Sequence, residues 1–264
     1  MEPNVSYKFS VTHAINFDLF EKKSAATSTY EAAFKQVKGN NFRIEVKRSD
    51  FKVNDKEIET KFESVAYEYN KALFPVLFDV IDGSFSLANY NEIAARIELT
   101  DAELRFKHDG PGFQYIRNQF LENVSKDGYT MSQHFFSFGL MKVIMLCLQE
   151  TEKYEDYQFQ WEIIPLETTL FCDGNTVFSS EQNVLQYSGQ ANSTNALFDQ
   201  ITAYGIRNKF IQEPTEAQAF ITTTITNTTQ FINTKLDFEF SETEVKINNS
   251  HFNYQEKLAV RRKF

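Results

Sequence analysis

Two cysteines, four histidines and nine glycines in 264 residues leave little material for several kinds of chemistry. Cys147 and Cys172 stand far apart and make no C-x-x-C or metal-spaced pair, so both read as small core residues. The histidines, His13, His108, His134 and His251, are scattered, with no i, i+4 pair and no acid-rich ligand set around them. The glycines form no G-x-G-x-x-G, P-loop or nucleophile elbow, and H-E-x-x-H is missing. "DGPGFQ" has two glycines, but Pro111 removes an N–H that a phosphate cradle would use, so the stretch reads as a helix break. His108-Asp109 is the sole adjacent His/Asp pair and reads as a polar helix C-terminus. No catalytic, cofactor-binding or metal-binding residue is assigned, no cofactor is expected, and the binding residues stay open.

Positive charge and long apolar runs are also scarce. A net charge of −9 disfavours nucleic acid and anionic membrane surfaces, which need a concentrated positive field. The most apolar run, "FFSFGLMKVIMLCL" at 135–148, contains Lys142 and falls short of the roughly 20 residues a spanning helix requires, so it reads as one buried helix over 132–148. The N-terminus lacks a basic stretch followed by an apolar one, which predicts cytoplasmic residence. N-x-S/T occurs at Asn4, Asn123, Asn192, Asn227 and Asn248 and means nothing without a secretory route.

What is present is strand and helix periodicity in blocks. Residues 1–53 alternate, as in Phe42/Ile44/Val46 against Arg43/Glu45/Lys47, with a slip at Ser49-Asp50 that predicts a turn or bulge. Residues 54–88 read as a helix stapled by Val53 and Ile58, then a hairpin about Asp82-Gly83. Residues 89–150 read as a helical insertion and 151–264 as strands again, punctuated by Pro165 and Asp173-Gly174, with 196–204 ambiguous between helix and strand. Three S/T/N-x-x-E pairs, Asn54/Glu57, Asn89/Glu92 and Thr100/Glu103, look like capping boxes at helix starts. The Thr-rich segments after Ala219 read as a solvated sheet face. The expectation is a single α+β domain, a large curved antiparallel sheet with a central helical insertion packed on one face.

Lys71-Ala72-Leu73-Phe74-Pro75, the hairpin, Asn89, Glu92-Ile93 and Arg96 together resemble a group of leaderless Bacteroidota proteins of similar length whose pattern continues into Arg-Trp, where this chain has Ile97. The resemblance implies a shared fold and no nameable enzyme activity.

Phe supplies 27 residues and Tyr 12, which in a curved sheet either fill a core or line an apolar cavity or partner groove. The absent motifs, the acidic surface and this aromatic content predict a non-catalytic cytoplasmic module that binds another protein, such as an adaptor, chaperone or immunity protein of a bacterial secretion or toxin system. The alternatives are a carrier of a lipid-like apolar small molecule and an enzyme without a recognisable motif, the latter requiring His108 or His134 beside a carboxylate.

Overall fold

The computed structural model describes residues 6–19, 22–37, 42–57, 60–81, 84–124, 127–148, 157–163, 166, 168–191, 194–212, 221–232, 237–249 and 252–264. The elements run β1 (Ser6–Leu19), β2 (Lys22–Val37), β3 (Phe42–Val53), α1 (Lys61–Ala72), β4 (Val76–Ile81), β5 (Ser84–Leu87), α2 (Tyr90–Lys107), α3 (Pro111–Val124), α4 (Gly128–Ser137) and α5 (Gly139–Leu148). They continue with β6 (Tyr157–Ile163), β7 (Thr168–Ser179), β8 (Val184–Ala191), α6 (Thr194–Arg207), β9 (Thr222–Phe231), β10 (Phe238–Asn248) and β11 (Phe252–Lys263). The protein is α+β: eleven antiparallel strands form one open sheet in the order β5-β4-β3-β2-β1-β11-β10-β9-β8-β7-β6. Every strand neighbours its sequence neighbour except at the β5–β6 step, which the helical insertion covers. Among the described residues no single helix is long and apolar enough to cross a membrane.

The chain groups into two compact units, one of residues 1–10, 29–136 and 263–264, the other of 11–28 and 137–262. In the first, Tyr69, Val65, Leu104, Phe113 and Ile116 form a helical core, and Phe78 packs against Phe85, Phe135 and Phe136 with ring centroids 5.6–6.2 Å apart. In the second, β6 and β11 are separated by four strands, about 24 Å in a flat sheet. Yet the Trp161 indole N–H on β6 donates to Glu256 on β11 at 2.8 Å. This sheet is therefore strongly curled. Its interior holds the apolar helix α5, whose Leu140, Met141, Val143, Ile144, Leu146 and Cys147 are all buried.

Several sequence expectations are corrected. Helix α1 starts later than Asn54: Asn54 and Asp55 adopt left-handed φ in a turn closed by paired Val53 and Lys56 hydrogen bonds. The capping box is made instead by Thr60, whose Oγ1 accepts the Glu63 N–H at 3.1 Å while its own N–H donates to Glu63 at 3.3 Å. Thr100 lies within the uninterrupted α2, so Thr100/Glu103 caps nothing. The expected helix over 132–148 is two helices, broken at Phe138; Gly139, which opens the second, lies where an added Cβ would meet Trp161 and Leu258 at 3.0–3.1 Å. Asp173-Gly174 does not end a strand. It lies within β7, where Gly174 pairs with Gly189 and a Cβ would come within 2.2 Å of the Ser188 carbonyl oxygen.

The Thr-rich strands are not simply solvated. Thr223, Asn227, Thr229, Ser241 and Thr243 are buried, and the Asn227 amide donates to Ser241 and Thr243 at 3.0 and 2.9 Å while accepting from Thr229 at 3.0 Å. Both N–H groups of the buried Asn227 amide are thereby used, which removes it as a glycan acceptor.

The strand slip is found where expected, with Asp50 at φ 53° inside β3. The ambiguous segment is helix α6. The hairpin strands pair Phe78 with Leu87 and Ile81 with Ser84. Asp82-Gly83, Ile58, Pro165 and His251 lie outside the described residues.

Candidate functional site

Asn89/Glu92, the polar cluster that most resembled a ligand site, is architectural, but not by capping. Asn89 makes no side-chain cap bond; its Oδ1 accepts the Leu77 N–H at 2.9 Å and its amide donates to the Pro75 carbonyl at 3.2 Å. Arg96 donates to the carbonyls of Ala72, Leu73 and Pro75 at 2.7–3.3 Å. The two residues thus satisfy the carbonyls that Pro75 strands when it ends α1. Asn89 and Arg96 form the clamp joining α1, β4 and α2.

Above that clamp the three helices share a second hub. Asp101 on α2, only 8% exposed, accepts from the Tyr69 hydroxyl on α1 at 2.7 Å and from Arg117 on α3 at 2.7 and 3.1 Å. Burial pushes the Asp101 carboxyl up, but these donors outweigh it and hold the group below the usual range. The hub and the clamp fix α1, α2 and α3 as a rigid platform.

On this platform lies an apolar groove of about 260 Å³ between the start of α1 and the start of α3. Its walls include Phe62, Val65, Pro111, Phe113 and Ile116. Gly110, at φ 91°, turns the chain sharply between α2 and α3, and Pro111 occupies the first helical position, where its missing N–H costs nothing. Phe62 is 54% exposed at the rim. His108 also lines the groove, its ring 6.1 Å from that of Phe113, and its Nδ1 is buried with no hydrogen-bond partner among the described residues. Such a nitrogen favours an incoming group that can complete its hydrogen bond. Sequence placed His108 correctly at a helix C-terminus but gave no sign that its ring enters an apolar groove.

Burial lowers His134 to about 4, so it is neutral at physiological pH. His13 meets a carboxylate: its Nε2 lies 2.5 Å from Glu256 Oε1 in the second unit. Glu256 is 2% exposed and also accepts from Trp161 at 2.8 Å and Tyr254 at 2.5 Å. Lys142 stands in the field of Glu162 and Glu256, and burial lowers its amine to about 8. The Trp161 and Tyr254 donors and the His13 ring surround this buried carboxyl group, which lines none of the three hollows named here. Cys147 and Cys172 are buried and pushed up to about 12, which leaves both as unreactive thiols.

Two further hollows lie among the described residues. In the first unit a pocket of about 200 Å³ is lined by Arg48, whose guanidinium lies 4.8–5.5 Å from the ring centroids of Phe74, Phe51 and Tyr30. Burial lowers the Arg48 pKa, and the aromatic faces take the place of a carboxylate. In the second unit an open groove of about 610 Å³ is lined by Asn16, Asp18, Lys23, Asn248 and Asn253 beside Phe17 and Tyr254. Among the described residues, no group of three or more His, Cys, Asp or Glu could hold a metal ion.

No family model matches the chain, and no curated protein matches it. Among solved structures, one titled "Lipid-protein interactions in lipovitellin" aligns with 98% of this chain at 7% identity and a TM-score of 0.46; the chain spans a quarter of that longer one. The dehydratase domain from the CurF module of curacin polyketide synthase aligns with 96% of this chain and 76% of its own at 8% identity and a TM-score of 0.11. At these scores neither likeness bears on fold or function.

Proposed function

We propose that the chain is a non-catalytic, cytoplasmic protein-binding module of the adaptor, chaperone or immunity type, and that its partner seats one apolar side chain in the groove between α1 and α3. The groove carries this reading. A volume of about 260 Å³ suits a single large anchor such as Leu or Phe, the kind of residue that dominates binding energy when it fills a desolvated pocket. Phe62 supplies an exposed apolar rim and Lys61 and Asp109 a charged one, the division common to protein interfaces. The platform beneath is held by Asp101 and Arg96, so little ordering would oppose binding.

The test is quantitative capture from cells of the source organism with the wild-type chain and with Phe62→Asp. One or a few proteins enriched by the wild type and lost with the variant support the reading. An unchanged set of captured proteins overturns it.

The carrier alternative is favoured by one observation, the 610 Å³ groove of the second unit, which falls within the roughly 300–1,000 Å³ of small-molecule sites. Native mass spectrometry after gentle purification decides it, since a carrier retains its ligand and an empty groove gives the bare chain mass.

A further inference from the structure

Helix α2 is apolar on two opposite sides. Ile93, Ile97 and Leu104 are buried in the first unit. On the other side Ala95, Leu99, Ala102 and Phe106 follow at spacings of four, three and four, and all are exposed, Leu99 at 64% and Phe106 at 92%. Steps of three and four residues keep these four side chains on one stripe, as along a coiled-coil seam.

The stripe is complementary to itself. When two copies of α2 lie antiparallel about a two-fold axis passing between Thr100 and Asp101, Leu99 of one copy stands opposite Ala102 of the other, and Phe106 opposite Ala95. Each large side chain meets a methyl group, so the helices can approach closely. The same register sets Glu98 against Arg105 on one flank and Glu92 against Lys107 on the other, and all four are exposed. A parallel pairing loses both features: Phe106 meets Phe106, and Glu98 meets Glu103. A closed two-fold contact requires the same patch on both copies to be self-complementary, and this stripe satisfies that condition in size and in charge.

We infer that α2 is a homodimerisation helix and that its occupant is a second copy of this chain, packed antiparallel. The inference rests on α2 alone and is independent of the α1–α3 groove. The stripe covers about 17 Å of helix, so the contact is of the small interface class and the dimer forms reversibly with concentration.

Sedimentation velocity of the full chain from about 1 to about 300 µM, a range bracketing the weak affinity of such a contact, should show the weight-average coefficient rising from monomer towards dimer. Phe106→Asp, at a surface position that leaves the core intact, should remain monomeric throughout. Glu92→Lys and Lys107→Glu should each weaken the dimer at least tenfold, while an equimolar mixture of the two recovers it, because only the antiparallel heterodimer restores both ion pairs. Circular dichroism confirms that each variant is folded. A wild type that stays monomeric, a dimer that survives Phe106→Asp, or a mixture no tighter than its components would overturn the inference. Occupation of the stripe by a different protein would appear as the first of these outcomes.

Discussion

Replacing Asp101 with Ala should be among the more damaging single changes in the helical platform. The Tyr69 hydroxyl lies on a residue with no solvent exposure and would lose its acceptor, a loss of about 1–3 kcal/mol for a buried donor. Arg117 would lose two charge-assisted bonds, but its side chain is 25% exposed and can turn towards water, which limits that share to about 1 kcal/mol. The expected cost is about 3 kcal/mol. With a urea slope of about 2 kcal/mol per molar, the midpoint followed by helical circular dichroism should fall by about 1.5 M. Tyr69→Phe removes the hydroxyl yet leaves Asp101 with Arg117, and should cost only about 1 kcal/mol. The sign with pH also follows. The folded carboxyl is held below its unfolded value, so its contribution is present above about pH 4 and disappears as pH falls through the folded pKa. Asp101→Ala should therefore lose less stability than the wild type between pH 5 and pH 3 (a window set by carboxylate titration at about 4). An Asp101→Ala midpoint no lower than that of Tyr69→Phe would refute the hub.

Other consequences are measurable in the same way. His134 is held neutral with a pKa of about 4, so the unfolded chain binds more protons between pH 6.5 and 4. Stability should fall by up to about 2–3 kcal/mol across that window, and a flat profile between pH 7 and 5 would contradict the assigned burial. Gly174→Ala places a Cβ 2.2 Å from a backbone oxygen and must displace the β7–β8 ladder, so it should lower stability by about 2 kcal/mol or more in chemical denaturation. Glu256→Ala strips the acceptor from Trp161 and Tyr254 and should destabilise more than Glu256→Gln, with a shift in the emission of Trp161, the chain's one tryptophan. Equal stability and unchanged emission in both variants would show that the carboxylate is not what holds the curled sheet together.

The α+β class and the strand–helix–strand blocks were legible because period-2 and period-3.6 patterns are local properties of the chain. Phe113, Ile116 and Val124 mark α3 in sequence and are buried in it. What could not be read were features set by residues distant in sequence. Asn89 has a cap-like spacing to Glu92, yet its amide is captured by Leu77 and Pro75, partners created only when the hairpin folds back. The stretch 132–148 carries a continuous apolar pattern that hides the break at Phe138, and the close approach of Trp161 and Leu258 to Gly139 is a tertiary contact. Thr229 and Thr243 look solvent-facing by composition, but cross-strand register with Ser241 and Asn227 lets them satisfy one another inside the sheet. The groove was illegible for the same reason: Phe62, His108 and Ile116 belong to three different elements, and their convergence is tertiary. The outer stripe of α2 was hidden by the inner one, since a helix apolar on both sides shows no clean amphipathic pattern.

The most direct test of the protein-binding reading is site-specific photocrosslinking in living cells of the source organism. A photoreactive amino acid is placed at Phe62 on the groove rim and, as a control, at the exposed Asn175 of the second unit. The expected result is a discrete protein adduct from position 62 that is absent from position 175. No adduct from position 62, or the same adducts from both positions, would contradict the claim that the α1–α3 groove receives a partner.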